Sequence, residues 1–171
     1  MRQEHEPISN NYRLGVGIML LDRRGLVLIG RRKSRRGPDV AIGYEWQMPQ
    51  GGIDEGEEPY AAAIRELREE TNVSSVSLLA EAPEWLSYDL PQDGARRAWK
   101  GRYHGQRQKW FALRFEGDER EIDIAHPDSG QRPEFDAWRW ERMAALTDLI
   151  VPFKRAVYVD VVRAFSHLAG G

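Results

Sequence analysis

Three glutamates crowd into residues 65–70, which read RELREE. Residues three and four positions apart share a helix face, so Glu66, Glu69 and Glu70 would point the same way on a helix, at a cost of roughly a few tenths of a kcal/mol per like-charged pair. Divalent cations would remove this repulsion, because Mg²⁺ and Mn²⁺ prefer oxygen ligands and bridge carboxylates to phosphate oxygens. The alternative is a solvated surface helix in which Arg65 pairs with Glu69, and the six residues alone favour it.

The residues upstream of these glutamates extend the pattern. From Gly51 the sequence runs five residues to Glu57, seven more to Arg65, and then on through Asn72. This resembles the Nudix box, GX5EX7REUXEEXGU, in which U is a bulky aliphatic residue. Every defining position matches except the last glycine, which is Asn72 here, and asparagine also tolerates the left-handed conformation that glycine supplies. A match of this length favours the metal site over the solvated helix.

The resemblance implies the Nudix fold, an α/β (α+β) fold whose mixed β-sheet is sandwiched between helices, with the box as a catalytic loop-helix-loop. It implies hydrolysis of a nucleoside diphosphate linked to another group, with two or more Mg²⁺ or Mn²⁺ ions that polarise phosphorus and acidify water. The catalytic residues that it implies include Glu57 and Arg65, which orient the loop and helix. The implied metal ligands are Gly51, Glu66, Glu69, Glu70 and the distal Glu121 in EREIDI. The four glutamates in this set are also counted as catalytic.

The resemblance continues outside the box, in segments such as YRLGVGIMLL, WLSYDLP, GQRQKWFALRF and VPFKRAVY. Together they are similar to a branch that contains RNA pyrophosphohydrolases and the invasion-associated and plant-type dinucleoside polyphosphate hydrolases. This branch implies removal of pyrophosphate from the 5′ end of triphosphorylated RNA, leaving a 5′-monophosphate. The alternative is asymmetric hydrolysis of diadenosine tetraphosphate to ATP and AMP. From a different class, a non-catalytic nucleotide-binding regulator stays open, although it gives no reason for three box glutamates.

Either substrate presents a polyphosphate on the 5′ position of a nucleoside, so it needs cations for the phosphates and a flat surface for a base. Taken alone, Phe153 and Tyr88 could equally be core residues, and Glu121 could be part of a solvated turn. The substrate-binding residues that the resemblance implies are Arg13, Arg32, Tyr88, Lys109, Phe153 and Lys154.

The elements around these residues must hold them in place. The apolar runs 14–22 and 26–32 predict a hairpin, and Pro59 predicts the first turn of a helix that ends at a left-handed Asn72. The core face of that helix is predicted from Tyr60, Ala63, Ile64, Leu67 and Thr71. Residues 33–57 and 92–107 are predicted to be loops. Further strands are predicted over 76–82, 84–91, 108–117 and 135–141, and an amphipathic helix over 151–168.

The composition is that of an ordinary globular chain. The chain has 171 residues and 41% hydrophobic content, which predicts one domain over 12–171 preceded by a flexible lead-in over 1–11. Its net charge of -2 neither favours nor excludes binding to nucleic acid. The lack of cysteine excludes disulfides and thiolate metal sites. The polar N-terminus and short apolar runs predict a cytoplasmic protein with no membrane partner, whereas protein partners are not predicted.

Overall fold

Within the part of the chain that the structure describes, eight strands form one mixed β-sheet. The structure is a computed structural model that describes residues 11–33, 43–91 and 101–170. The strands are β1 (Tyr12–Leu21), β2 (Val27–Arg32), β3 (Trp46–Gln47), β4 (Gln50–Gly52), β5 (Val76–Glu81), β6 (Leu86–Asp89), β7 (Gly105–Phe115) and β8 (Phe135–Glu141).

The strand order is β3-β2-β1-β7-β5, with β4 paired to β1, β6 to β7 and β8 to β2. Strands β1 and β7 run parallel at the centre, and the other pairings among the described strands are antiparallel. The predicted mixed sheet is therefore confirmed.

Helices cover both faces of this sheet. Successive side chains of a strand point to opposite faces, so β1 contributes Ile18 to one core and Met19 to the other. Leu67 packs in the core with Ile18, and Val161 packs in the core with Met19. This arrangement confirms the predicted sandwich. The described helices are α1 (Pro59–Thr71), α2 (Leu146–Leu149) and α3 (Arg155–Phe165).

Helix α1 begins and ends as its sequence predicts. Pro59 stands in the first turn, where its missing N–H costs nothing. Asn72 has a φ of 62°, and its N–H donates to the carbonyl oxygen of Arg68 at 2.8 Å, which confirms the left-handed end. The predicted core position of Tyr60 is wrong, because this residue stands in the first turn of the helix and 38% of it is exposed, although its ring lies 5.4 Å from that of Phe111. Ala62 is buried instead.

The region before α1 differs from its prediction. Strands β3 and β4 lie where a loop was predicted, because pairing with β2 and β1 rather than local propensity creates these short strands. Strands β1 and β2 form the predicted hairpin, in which Leu21 pairs with Val27. Residues 15–17 of β1 pair with β4 instead of β2. Strand β7 also begins earlier than predicted, at Gly105. The rest of the predicted loops falls mainly in 34–42 and 92–100, outside the described residues.

The C-terminal segment is helical in three pieces. A 3₁₀ turn over Pro152–Lys154 leads into α3, and a second 3₁₀ turn follows over Ser166–Leu168. No helix within 11–33, 43–91 and 101–170 combines the length and apolar character needed to cross a membrane. The predicted lead-in over 1–11 lies outside the described residues except for Asn11, so the domain division stays a prediction.

Candidate active site

Helix α1 lies against β4, and the contact depends on the missing side chain of Gly51. A Cβ atom at Gly51 would overlap the carboxylate of Glu66. The first residue of the box and its first glutamate therefore share one small space. This is the physical reason that the pattern has glycine here, since any side chain would push the carboxylate away.

Arg65 ties the loop, the strand and the helix together. Its Nε and Nη2 donate to the two carboxylate oxygens of Glu57 at 2.8 and 2.9 Å, and Nη2 also donates to the carbonyl oxygen of Gly52 at 2.8 Å. Its Nη1 donates to Glu66 at 2.9 Å and to Glu69 at 3.1 Å. The hydrogen bond from Arg65 lowers the pKa of Glu57 to about 2. Glu57 and Arg65 thus have the geometry of a brace.

Burial disfavours the ionised form of two of the glutamates, Glu66 and Glu70. Burial raises the pKa of Glu66 to about 7, although Arg65 opposes this shift. Burial, and then the charges of Glu66 and Glu134, raise the pKa of Glu70 well above its usual range. Glu70 Oε2 is shielded from solvent and has no hydrogen-bond partner among the described residues. A buried carboxylate in this condition is stabilised by a cation.

These residues fit a divalent metal ion. The donors are carboxylate oxygens, which suit Mg²⁺ and Mn²⁺, and the unpartnered oxygen of Glu70 is available to an ion. In the described residues, no group of three or more Asp, Glu or His side chains already lies around one point. Because Arg65 holds both Glu66 and Glu69, ion binding would exchange these hydrogen bonds for contacts with the ion.

Glu121 has different partners from the helix glutamates. It ends a 3₁₀ turn over Glu119–Glu121, and its Oε1 accepts from the backbone N–H groups of Ser74 and Ser75 at 2.8 and 2.9 Å. Burial acts to raise the pKa of Glu121, but these hydrogen bonds outweigh it and lower the pKa. The carboxylate is therefore bound just beyond the C-terminal end of α1, and its role as a metal ligand stays a prediction.

Tyr88, Phe153 and Lys154 form a largely buried group near Glu70, which we call the cleft. The two aromatic rings are 5.9 Å apart between centroids, and Lys154 Nζ lies 5.2 Å from the centroid of Tyr88. Burial, together with the charge of Arg32, lowers the pKa of Lys154 to about 7, against the opposing charges of Glu134 and Glu70. The buried lysine thus connects the cleft electrostatically to the last box glutamate.

Arg13 and Arg32 bring positive charge to the same cleft. A Cβ atom at Gly52 would overlap the guanidinium of Arg13, which therefore lies over the β4 backbone, and Arg32 pairs with Glu134 at 3.8 Å. Both arginines act on the phenol of Tyr88, whose pKa nevertheless rises to about 12 because the ring is buried. The structure therefore brings together five of the predicted substrate residues: Arg13, Arg32, Tyr88, Phe153 and Lys154.

Lys109 is not part of this cleft. Its Nζ pairs with Glu81 on β5 at 3.2 Å. Side chains alternate along β7, so Lys109 points to the same face as Phe111, which packs in the core of α1. Gln108, the residue before it, points toward Tyr88. Lys109 therefore lies on the opposite face of the sheet from Tyr88, outside the group that the other five residues form, and its role in substrate binding stays a prediction.

Three glutamines that the sequence analysis missed form the floor of the cleft. Trp110 donates its indole N–H to Gln108 at 3.1 Å, and Gln108 donates to Gln106 at 2.8 Å and to Gln50 at 3.1 Å. Gln106 also accepts from the hydroxyl of Tyr88 at 2.9 Å. The alternation of Gln106, Gln108 and Trp110 along one strand was the signal, because buried glutamines on one face need partners.

Comparison with known proteins gives consistent results. The family model described as NUDIX domain matches residues 11–161. A protein of Nitrobacter winogradskyi is 58% identical over 93% of this chain and 92% of its own length, and one of Rhodopseudomonas palustris is 60% identical over 92% and 93%. A Brucella anthropi protein is 57% identical over 95% and 94%. All three are named RNA pyrophosphohydrolase, which confirms the predicted branch and class of enzyme.

Solved structures agree on the fold. The E. coli dihydroneopterin triphosphate pyrophosphohydrolase matches with a TM-score of 0.63 and 22% identity, over 90% of this chain and 99% of that one. A C. elegans Ap4A hydrolase in a binary complex matches with a TM-score of 0.59 and 16% identity, over 90% and 98%. Nudix hydrolases generally use divalent metal ions. The match over residues 11–161 and the curated relatives establish that the chain belongs to the NUDIX domain family.

Proposed function

We propose that this protein removes pyrophosphate from 5′-triphosphorylated RNA with Mg²⁺ or Mn²⁺, leaving a 5′-monophosphate. The observation that carries the proposal is the 58–60% identity, over 92–93% of the chain, to proteins named RNA pyrophosphohydrolase. Cytoplasmic RNA is the proposed substrate, in agreement with a chain that has no cysteine.

The glutamate side of the site is proposed to hold the metal ions. Glu66, Glu69 and Glu70 would bind them together with phosphate oxygens of the substrate, next to the backbone of Gly51. Divalent ions bound there supply positive charge that polarises phosphorus and lowers the pKa of an attacking water. In the absence of metal ions, the hydrogen bonds from Arg65 fix the positions of the Glu66 and Glu69 carboxylates.

Glu121 is proposed to complete the ligand set or to accept a proton from the attacking water. Hydrogen bonds from residues 74 and 75 keep its carboxylate ionised, which both roles require. Glu57 acts indirectly, because its two oxygens fix the guanidinium of Arg65.

The cleft side is proposed to bind the 5′ end of the RNA. Phe153, which is partly exposed and packs against the buried ring of Tyr88, offers an apolar ring to a leading base. Arg13, Arg32 and Lys154 offset the charge of the phosphates, and Lys154 becomes more fully protonated when a polyphosphate enters, since a nearby negative charge raises its pKa.

The competing substrate is a dinucleoside polyphosphate such as diadenosine tetraphosphate. It would use the same metals, cations and aromatic rings, so the proposal is tested by direct competition. The purified protein should be offered triphosphorylated RNA and diadenosine tetraphosphate side by side, each with Mg²⁺ and with Mn²⁺.

We expect a higher kcat/KM for the RNA, with pyrophosphate as the released product. A preference for diadenosine tetraphosphate, with ATP and AMP as products, would reverse the assignment of substrate and leave the metal chemistry intact. Tight binding of both compounds without hydrolysis of either would identify a nucleotide-binding regulator instead.

A further inference from the structure

Asn72, which stands where the box pattern has glycine, does more than end helix α1. Its φ of 62° supplies the left-handed conformation that glycine would also give. Its side-chain Nδ2 donates two further hydrogen bonds, to the carbonyl oxygen of Asp123 at 2.7 Å and to that of His126 at 2.9 Å. These partners are 51 and 54 residues away in sequence. Glycine could make neither of these contacts.

The carbonyl groups that Asn72 holds belong to the loop that carries Glu121. The N–H of Asp123 donates to the carbonyl oxygen of Thr71 at 2.9 Å, so this loop is attached to the last residue of α1 as well. Glu121 itself is bound from the other side, by the N–H of Ser74 at 2.8 Å and by the residue after it. The end of α1 and the loop are thus joined on both sides of the distal carboxylate.

We propose that Asn72 is a positioning residue, which holds the Glu121 loop against the end of helix α1 so that the distal carboxylate and the box glutamates keep one fixed relation. The inference rests on the proposed function, in which Glu121 serves the metal site. Both N–H groups of the carboxamide are engaged, so the side chain has one orientation in which it satisfies both carbonyls.

Two substitutions separate the side chain from the backbone conformation. Asn72→Gly keeps the left-handed conformation and removes the amide, whereas Asn72→Asp keeps the size and replaces the donor with an acceptor that two carbonyls repel. The matched control is Ser77→Ala, which removes a hydrogen bond of 2.8 Å to Glu116, the residue after strand β7, and leaves the loop contacts in place.

The first measurement is amide hydrogen exchange by NMR on the metal-free protein. We expect exchange at Asp123, Ser74 and Ser75 to accelerate at least about tenfold in both Asn72 variants and to remain unchanged in Ser77→Ala. The second measurement is Mn²⁺ affinity without substrate, which should fall about tenfold in both Asn72 variants.

A double-mutant cycle tests whether Asn72 acts through Glu121. The loss of Mn²⁺ affinity caused by Asn72→Gly should disappear in a Glu121→Gln background. Equal losses in the two backgrounds, or unchanged amide exchange in Asn72→Gly, would overturn the inference.

Failure of the inference about Asn72 can be distinguished from failure of the proposed function. If Glu121→Gln alone binds Mn²⁺ as tightly as the wild type while Glu69→Gln does not, the metal site stands and the inference about Asn72 falls. The choice between RNA and dinucleotide is decided by hydrolysis alone, so it changes neither the exchange nor the Mn²⁺ result.

Discussion

The glutamate end of helix α1 and the cleft around Tyr88 meet at Glu70 and Lys154, yet they are held in different ways. The glutamate side depends on one arginine whose charged hydrogen bonds reach a loop, a strand and two further carboxylates. The cleft depends on buried rings and a floor of neutral amides. Negative charge is concentrated on the first side, whereas the second combines buried rings and amides with the cations Arg13, Arg32 and Lys154. Substitutions on the first side should therefore affect turnover, and those on the second should affect substrate affinity.

Removal of divalent ions has the largest expected effect. Chelation with EDTA should abolish pyrophosphate release from triphosphorylated RNA, because it removes the ions that would polarise phosphorus and lower the pKa of the attacking water. Addition of excess Mg²⁺ or Mn²⁺ should restore it. Hydrolysis that persists in EDTA would place the chemistry in groups other than the glutamates.

Glu69→Gln should reduce kcat by about 10² to 10⁴-fold, because a neutral amide binds a divalent ion far more weakly than a carboxylate does. The hydrogen bond from Arg65 can still be accepted by the new side chain, so the fold should remain intact by circular dichroism. The measurement is steady-state hydrolysis at saturating Mn²⁺. Unchanged turnover would refute the assignment of Glu69 as a metal ligand.

On the cleft side, Tyr88→Ala and Lys154→Ala should raise KM by about tenfold each and lower kcat by less, because stacking and phosphate neutralisation act mainly in binding. Lys109→Ala is the matched control, since this lysine lies on the opposite face of the sheet and pairs with Glu81. Its KM should equal that of the wild type. A normal KM in both cleft variants would remove Tyr88 and Lys154 from the binding site.

The smallest effect concerns stability in the absence of metal. The folded protein raises the pKa of Glu66 from 4.5 to about 7, so its stability falls as pH rises through this interval. Glu66→Gln cannot ionise, and it should be more stable than the wild type by about 1 to 2 kcal/mol at about pH 8, with little difference at about pH 4. Urea unfolding in EDTA measures this. Equal stability at both pH values would mean that burial does not disfavour this charge.

Local patterns predicted the parts of the molecule that depend on local physics. The spacing of Ala63 and Leu67 predicted the buried face of α1, and Asn72 predicted its left-handed end. The short strands β3 and β4 could not be predicted in this way, because their residues are extended only through pairing with β1 and β2.

The residues of the cleft were predicted only in part. The resemblance indicated Tyr88, Phe153 and Lys154, which the fold does bring together. It also indicated Lys109, although alternation from the buried Trp110 would have placed this lysine on the other face. The brace of Arg65 was expected from the box, but its bond to the Gly52 carbonyl depends on where β4 lies.

The close approach of the Glu66 carboxylate to Gly51 suggests a variant that could serve as a reagent. Gly51→Ala would place a methyl group where the Glu66 carboxylate now lies, and only the flexible end of that side chain would have to move. The fold should tolerate this shift, and the aromatic rings on the far side of the site are untouched. Such a variant should bind the 5′-triphosphate end of RNA without hydrolysing it. It could therefore be used to isolate newly made transcripts intact from a mixture.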